Sequence, residues 1–250
     1  MSDSDTVRIE HRGSVAVVTI DDAERRNALT PATVAGIIAG FDRIESDGRT
    51  TAVVLTGAGP AFCSGADVAA LERLARADDD TERRSVAEIY EGFLRVLHCP
   101  LPTIAAVNGP AVGAGFNLAL ACDVRVAGAA ARFDTRFLRI GLHPGGGHTW
   151  LLERAVGPQA AAAMLLLGTR IDGARAAEIG LAWSVVPDGQ LVDEAVALAG
   201  GTENVPVELL TRTKATLRAA PWQPDFATAV DDELGHQAWS LGQGWFPPGR

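Results

Sequence analysis

Two places in this chain have the residue types to hold a negative charge without a charged side chain. At the first, Gly113-Ala114-Gly115 follows an apolar run, residues 103–107, short enough for a buried strand, and a break at Asn108-Gly109-Pro110. An apolar run of helical length begins at Gly113. A strand, a tight turn and a helix start leave backbone N–H groups free at the positive end of the helix dipole, where a ligand oxygen can sit. Gly113 and Gly115 have no side chain to keep a ligand away, and Ala114 has only a methyl group. At the second place, Ser64-Gly65-Ala66 repeats the arrangement, with Asp67 in the first turn of the helix that should follow. Two such places in one domain can aim two N–H donors at one oxygen, an oxyanion hole suited to an enolate or a tetrahedral oxyanion. The plainer account is two ordinary strand–helix turns.

Side chains that exchange protons near neutral pH are few. His143 and His148 flank Gly145-Gly146-Gly147, and histidine is the usual acid/base in that pH range. Their alternative use is loop and helix capping. Asp134 is a further candidate, with Arg132 or Arg136 as its possible ion-pair partner. Cys63 has no base or cation evident beside it and reads as packing.

The elements that must position these groups follow from local signals. Residues 7–11 and 15–20 read as strands joined at Arg12-Gly13-Ser14, a hairpin signal. Thr30 is a good N-cap, Pro31 suits the first helical position, and helical spacing runs to about Ile44. Residues 51–56 form a buried-type strand, followed by a helix near 68–74. The charged stretch 76–84 is expected at the surface, as a solvated segment or as a lid over a site. A helix then reaches about His98, ahead of Cys99-Pro100-Leu101-Pro102. Strand 124–127 follows the central stretch, and beyond Thr149 the chain reads as helix after helix, with only 169–172 and 183–186 extended. This is an α/β core with right-handed crossovers, plus a helical tail that must bury its apolar faces somewhere.

Composition narrows the partners. The 250 residues are 47% hydrophobic and 21% charged, enough for a full core in one large domain. The net charge of −9 argues against non-specific nucleic-acid binding. The longest largely apolar run, 111–122, is too short to span a bilayer, and no secretory signal is visible, so no membrane partner is expected. Three cysteines, Cys63, Cys99 and Cys122, share no metal spacing; reduced thiols in a cytoplasmic protein account for them most simply, and no metal site is expected. A nucleotide-dependent oxidoreductase is disfavoured. Gly113-Ala114-Gly115 is half of a dinucleotide fingerprint, but its third position is Leu118 and the run 124–127 ends in Gly128 without an acidic residue for a ribose.

Four motifs together are more specific. Glu24-Arg25-Arg26-Asn27-Ala28-Leu29, Ala61-Phe62-Cys63-Ser64-Gly65-Ala66-Asp67, Ala106-Val107-Asn108-Gly109 through Cys122-Asp123, and Arg132-Phe133 through Gly145-Gly146-Gly147 occur in this order. They resemble the enoyl-CoA hydratase/isomerase (crotonase) family, from about residue 7 to residue 187. The resemblance implies a spiral of ββα units over residues 1–187 carrying an acyl-CoA site. A helical trimerisation region would occupy 188–250, giving a homotrimer or a dimer of trimers. It implies that the Ala66 and Ala114 N–H groups hold the thioester carbonyl of an acyl-CoA. Arg25, Arg26, Ala28, Ser64, Asp67, Val68, Gly113 and Phe137 would line the substrate and its CoA, with Arg25 or Arg26 nearest the phosphates and Asp67 acting chiefly in the helix start. No cofactor beyond the CoA moiety is implied. The activity implied is that of a lyase or isomerase of fatty acid metabolism, working through a thioester enolate.

The sequence departs from the family at its two catalytic glutamates, where it has Asn117 and Phe137. Asparagine does not exchange a proton near pH 7, and phenylalanine has none to exchange. Glutamate-pair hydration is therefore not expected. His143 and His148, which the family's layout places at the acyl end, are the candidates to move protons, with Asn117 a polar neighbour. The alternative is an acyl-CoA binding protein without catalysis.

Overall fold

The computed structural model describes residues 6–67, 72 and 80–245. The helix expected near 68–74 lies outside these residues apart from Glu72, as do Val68 and residues 76–79 of the charged stretch. Strands β1 (Val7–Arg12) and β2 (Val15–Ile20) form the expected hairpin, pairing Arg12 with Val15. The antiparallel pair starts a six-stranded sheet continued in parallel by β3 (Ala52–Gly57), β4 (Thr103–Val107), β6 (Val124–Gly128) and β9 (Ser184–Val186), in the order β1-β2-β3-β4-β6-β9. Parallel neighbours need helical crossovers. The first is α1 (Pro31–Ser46), where the Thr30 hydroxyl accepts from the Thr33 N–H at 3.2 Å and Pro31 takes the first helical position. The second is α2 (Asp80–Leu97), which begins within the charged stretch.

Side-chain alternation divides the main sheet's burial between two faces. Ala16, Val18, Ile20, Val53, Leu55, Ala105 and Val107 join the core beneath the crossover helices, with Phe41, Phe93 and Phe116. Their neighbours Val15, Val17, Ala52, Val54, Ile104 and Ala106 face the other way, against Leu191, Ala195 and Ala199 of helix α6 (Leu191–Ala199). Covered on both faces, these strands read as continuous apolar runs.

A second sheet, of three strands, corrects one expectation from sequence. The turn at Asn108-Gly109 does not lead straight into a helix. It leads into β5 (Pro110–Val112), which pairs in parallel with β7 (Arg132–Asp134), itself antiparallel to β8 (Ile171–Asp172). Helix α3 (Ala114–Ala121) leaves from the end of β5 and is buried on every side. Downstream, α4 (His148–Leu165) breaks at Gly157, φ 74°, before Pro158, and α5 (Gly173–Glu178) begins from β8.

The tail consists of α7 (Val207–Ala219) and α8 (Phe226–Leu241). Lys214, although buried, reaches the Leu101 carbonyl and an Asp123 oxygen, each at 2.6 Å, and Arg218 takes the other Asp123 oxygen at 2.8 Å. Burial alone would raise the Asp123 pKa; the attraction of Lys214 and Arg218 outweighs it and holds the carboxyl below its ordinary value. No residue of α8 is buried, and Phe226, Leu234 and Leu241 are exposed. Among the described residues, no helix is long and apolar enough to cross a membrane.

Candidate active site

The segment Cys63–Ala66 is stitched in place from two sides. The Cys63 N–H donates to the Pro110 carbonyl at 3.1 Å, and the Val112 N–H returns to the Cys63 carbonyl at 3.0 Å. On the other side, the Ser64 N–H donates to Arg26 at 3.0 Å and the Leu29 N–H to Gly65 at 2.8 Å. Asn27 anchors that second edge. It is fully buried with φ 57°, and its amide donates to the Ala58 and Ala61 carbonyls at 2.9 and 2.7 Å. Asparagine tolerates this left-handed backbone better than most residues.

Two glycines let this segment meet the start of α3. Gly65 has φ +93°, and a Cβ there would lie 2.5 Å from the Val112 carbonyl oxygen and 3.4 Å from the Ala114 nitrogen. At Gly115, a Cβ would lie 2.2 Å from the Cys63 carbonyl oxygen. The peptide carrying the Ala66 N–H thus lies beside the Ala114 N–H. Phe116 and Asn117 donate their N–H groups to Gly113, each at 3.0 Å. Among the described residues, neither the Ala66 nor the Ala114 N–H has a protein acceptor. The geometry therefore offers two free donors side by side, one at a helix start.

Around these donors the residues expected to bind substrate are mostly close. Arg25 and Arg26 are exposed, and the Ser64 hydroxyl donates to the Arg25 carbonyl at 3.2 Å. Ala28 is buried next to Leu29, which bridges to Ala66, and Asp67 follows directly. Gly113, φ 54°, faces the Phe137 ring, which would lie 3.8 Å from a Cβ at that position. The Cys63 thiol is buried and its pKa is pushed up to about 12 by that burial, so it packs and does not react. Asp134 is engaged by Arg139 and, at 3.3 Å, by Arg170, in place of the Arg132 or Arg136 expected from sequence. The Arg132 guanidinium is taken up by the Ala129 and Ala131 carbonyls.

The two histidines, alike in sequence, differ in place. His143 is exposed and its Nδ1 contacts the Pro144 carbonyl at 2.7 Å. His148, the first residue of α4, is 1% exposed. Its ring sits edge-on to Phe116 and Phe137, with centroids 5.2 and 5.0 Å away. Its Nδ1 is hydrogen-bonded to Asn117 Oδ1, and Asn117 Nδ2 donates to the Gly145 carbonyl at 3.0 Å. Because a carbonyl can only accept, the amide nitrogen must face Gly145, and Oδ1 must face a protonated Nδ1. That leaves Nε2 as a bare lone pair; it is buried and has no partner among the described residues.

Sequence reasoning gave no role to Tyr90, the chain's one tyrosine. Its hydroxyl packs against the Gly145-Gly146 turn, where a Cβ on Gly145 would lie 2.2 Å from it. An isolated aromatic on an amphipathic helix gives no local signal of such a contact.

Burial lowers the His148 pKa from 6.5 to about 4, so the ring is neutral at physiological pH. Between these values the unfolded chain binds the proton and the folded chain does not. Stability from this group is therefore complete above pH 6.5 and falls as the pH drops toward 4, by about 3 kcal/mol. Urea unfolding of wild type and His148→Gln across that range checks this. The difference in stability between the two should shrink or reverse by about that amount at the acid end. Parallel pH slopes would contradict it.

Known proteins similar to this chain span nearly its whole length. Residues 10–233 match the family model described as enoyl-CoA hydratase/isomerase. A Mycobacterium tuberculosis protein named "Probable enoyl-CoA hydratase EchA14" is 51% identical over 96% of this chain and 94% of its own. Among solved structures, an enoyl-CoA hydratase from Polaromonas sp. JS666 superposes with a TM-score of 0.88 at 30% identity, covering 95% of this chain and 92% of that one. A structure from Thermobifida fusca YX in complex with acetoacetyl-CoA gives a TM-score of 0.84 at 30% identity, over 96% of both chains.

Proposed function

The chain belongs to the enoyl-CoA hydratase/isomerase family, and from that membership we propose that it binds an acyl-CoA thioester and stabilises the thioester's enolate between the Ala66 and Ala114 N–H groups. The observation that carries this reading is the pair of free donors that Gly65 and Gly115 allow to lie side by side. Preorganised N–H groups gain most where charge develops, which here is the thioester oxygen. The acetoacetyl-CoA bound by the Thermobifida fusca protein supports the ligand class. In this reading Arg25, Arg26, Ala28, Ser64 and Asp67 border the CoA, while Gly113 and Phe137 border the acyl group. Val68, outside the described residues, completes that set. No cofactor is needed beyond the CoA of the substrate.

The chemistry is of the hydratase/isomerase kind but without the glutamate pair, since Asn117 and Phe137 occupy those positions. Proton transfer then falls to a histidine of the Gly145-Gly146-Gly147 turn. The same two substitutions favour a second reading, an acyl-CoA binder without turnover.

Residues 1–187 carry the site in this reading, and 188–250 supply the assembly surface of a homotrimer or a dimer of trimers. The exposed Leu217, Phe226, Leu234 and Leu241 support this, as they form more apolar surface than a monomer leaves wet. The buried free thiols at Cys63, Cys99 and Cys122 fit a reducing, cytoplasmic setting.

Native mass spectrometry of the purified protein, followed by titration with acetoacetyl-CoA, tests both parts. The expected result is a trimer or hexamer mass and saturable binding of the thioester. A monomer at micromolar concentration overturns the assembly, and absence of binding overturns the ligand class.

A further inference from the structure

The His148 ring is held as a base is held, yet its reactive nitrogen touches nothing in the protein. Asn117 fixes the proton on Nδ1, Phe116 and Phe137 wall the ring, and Nε2 is left buried without a partner. A bare lone pair in an apolar cage costs free energy unless a ligand meets it there. The cage adjoins the oxyanion donors, because Asn117 lies one turn beyond Ala114 on α3 and the Phe137 ring faces Gly113. Phe137 is the half-buried wall. It rides on a 3₁₀ turn, Phe137–Ile140, set between Arg136 and Gly141, both at positive φ.

Building on the acyl-CoA reading above, we propose that His148 Nε2 is the single base of this site and that Asn117 is its positioning residue. Nε2 takes a proton from C2. The C–H electron pair moves into the thioester, placing negative charge on the oxygen between the Ala66 and Ala114 N–H groups. The imidazolium then returns the same proton to C2 or, on a probe thioester with a C3=C4 double bond, to C4 as that bond shifts into conjugation. No atom is gained or lost and no co-reactant is required. Asn117 thereby acquires a use in place of the family's carboxylate. It moves no proton and keeps the proton on Nδ1, so that Nε2 is left as the unprotonated nitrogen.

The test needs three measurements. Long-range ¹H–¹⁵N NMR of wild type reads the tautomer directly, and His148 protonated at Nδ1 is expected. A His148 protonated at Nε2 overturns the proposal even if every variant fails to fold. Next, 3-butenoyl-CoA is incubated in D₂O, and deuterium at C2 and C4 is followed together with butyryl-CoA affinity. His148→Gln should slow exchange by about 10²-fold or more, the usual contribution of a positioned base, with affinity within about threefold. Unchanged exchange in that variant overturns the proposal. Asn117→Leu should move His148 toward the Nε2-protonated form and slow exchange while affinity holds; an unmoved tautomer refutes the positioning role. Failure of wild type to bind butyryl-CoA would bring down the acyl-CoA reading and this proposal with it. Binding without exchange would bring down this proposal alone.

Discussion

Ala114→Pro should fold and lose about 10²–10³-fold in C2 proton exchange. Proline has no N–H, so the substitution deletes one of the two donors outright. Its ring would also stand where the donated hydrogen pointed. The usual objection to proline in a helix does not apply here. Ala114 is the first residue of α3 and its N–H has no protein acceptor among the described residues, so no helical hydrogen bond is lost. Loss of one oxyanion donor typically costs about 10²–10³-fold in rate. The measurement is deuterium uptake into 3-butenoyl-CoA, with circular dichroism and thermal melting to show that the fold persists. A folded variant exchanging at the wild-type rate would mean that the Ala114 N–H does not hold the thioester oxygen. Paired with His148→Gln, this variant separates the two halves of the reaction: one loses the place for the charge, the other the acceptor for the proton.

The chemistry-bearing backbone was legible in the sequence because its signals are local. Thr30-Pro31 marks a helix start within two residues, and the hairpin at Arg12-Gly13-Ser14 is set by its turn. The small residues at Ser64-Gly65-Ala66 and Gly113-Ala114-Gly115 likewise announce close backbone approach. The second sheet was not legible. Pro110–Val112 and Arg132–Asp134 are three-residue strands, too short to show alternation, and what defines them is pairing across some twenty residues of intervening chain. The histidines mark the same boundary. His143 and His148 both flank one glycine turn in sequence, yet only His148 is caged, by Phe116, Asn117 and Phe137 from other elements. Likewise, the arginines that neutralise Asp134 are Arg139 and Arg170, the second of which is brought in by the fold alone.

Gly115→Ala should destabilise the protein and cut exchange, although helix propensity argues the other way. In a helix, alanine is ordinarily favoured over glycine by about 1 kcal/mol. Gly40, in the interior of α1, should follow that rule. A Cβ there meets only the Ile9 and Val7 side chains, at 3.4 Å or more, so Gly40→Ala is expected to be neutral or stabilising. At Gly115 the added carbon would lie 2.2 Å from the Cys63 carbonyl oxygen, 2.7 Å from its carbon and 2.8 Å from its Sγ. Two of those three atoms are backbone, pinned by the bonds to Pro110 and Val112, and cannot rotate away. The helix and the 63–66 segment must therefore part by about 1 Å, and overpacking of this kind costs about 1–3 kcal/mol. The clash exceeds the propensity gain, so the net sign is loss. The functional cost should be larger still. The same displacement separates the Ala66 and Ala114 N–H groups, and a misplacement of about 1 Å can cost about 10²-fold. Melting temperature and C2 exchange of Gly115→Ala, set beside Gly40→Ala, decide the matter. If Gly115→Ala melts higher and exchanges normally, the close approach of α3 to Cys63 is not what assembles the site. If it melts lower and exchange collapses while Gly40→Ala is unharmed, the glycine is there to bring two donors to one oxygen.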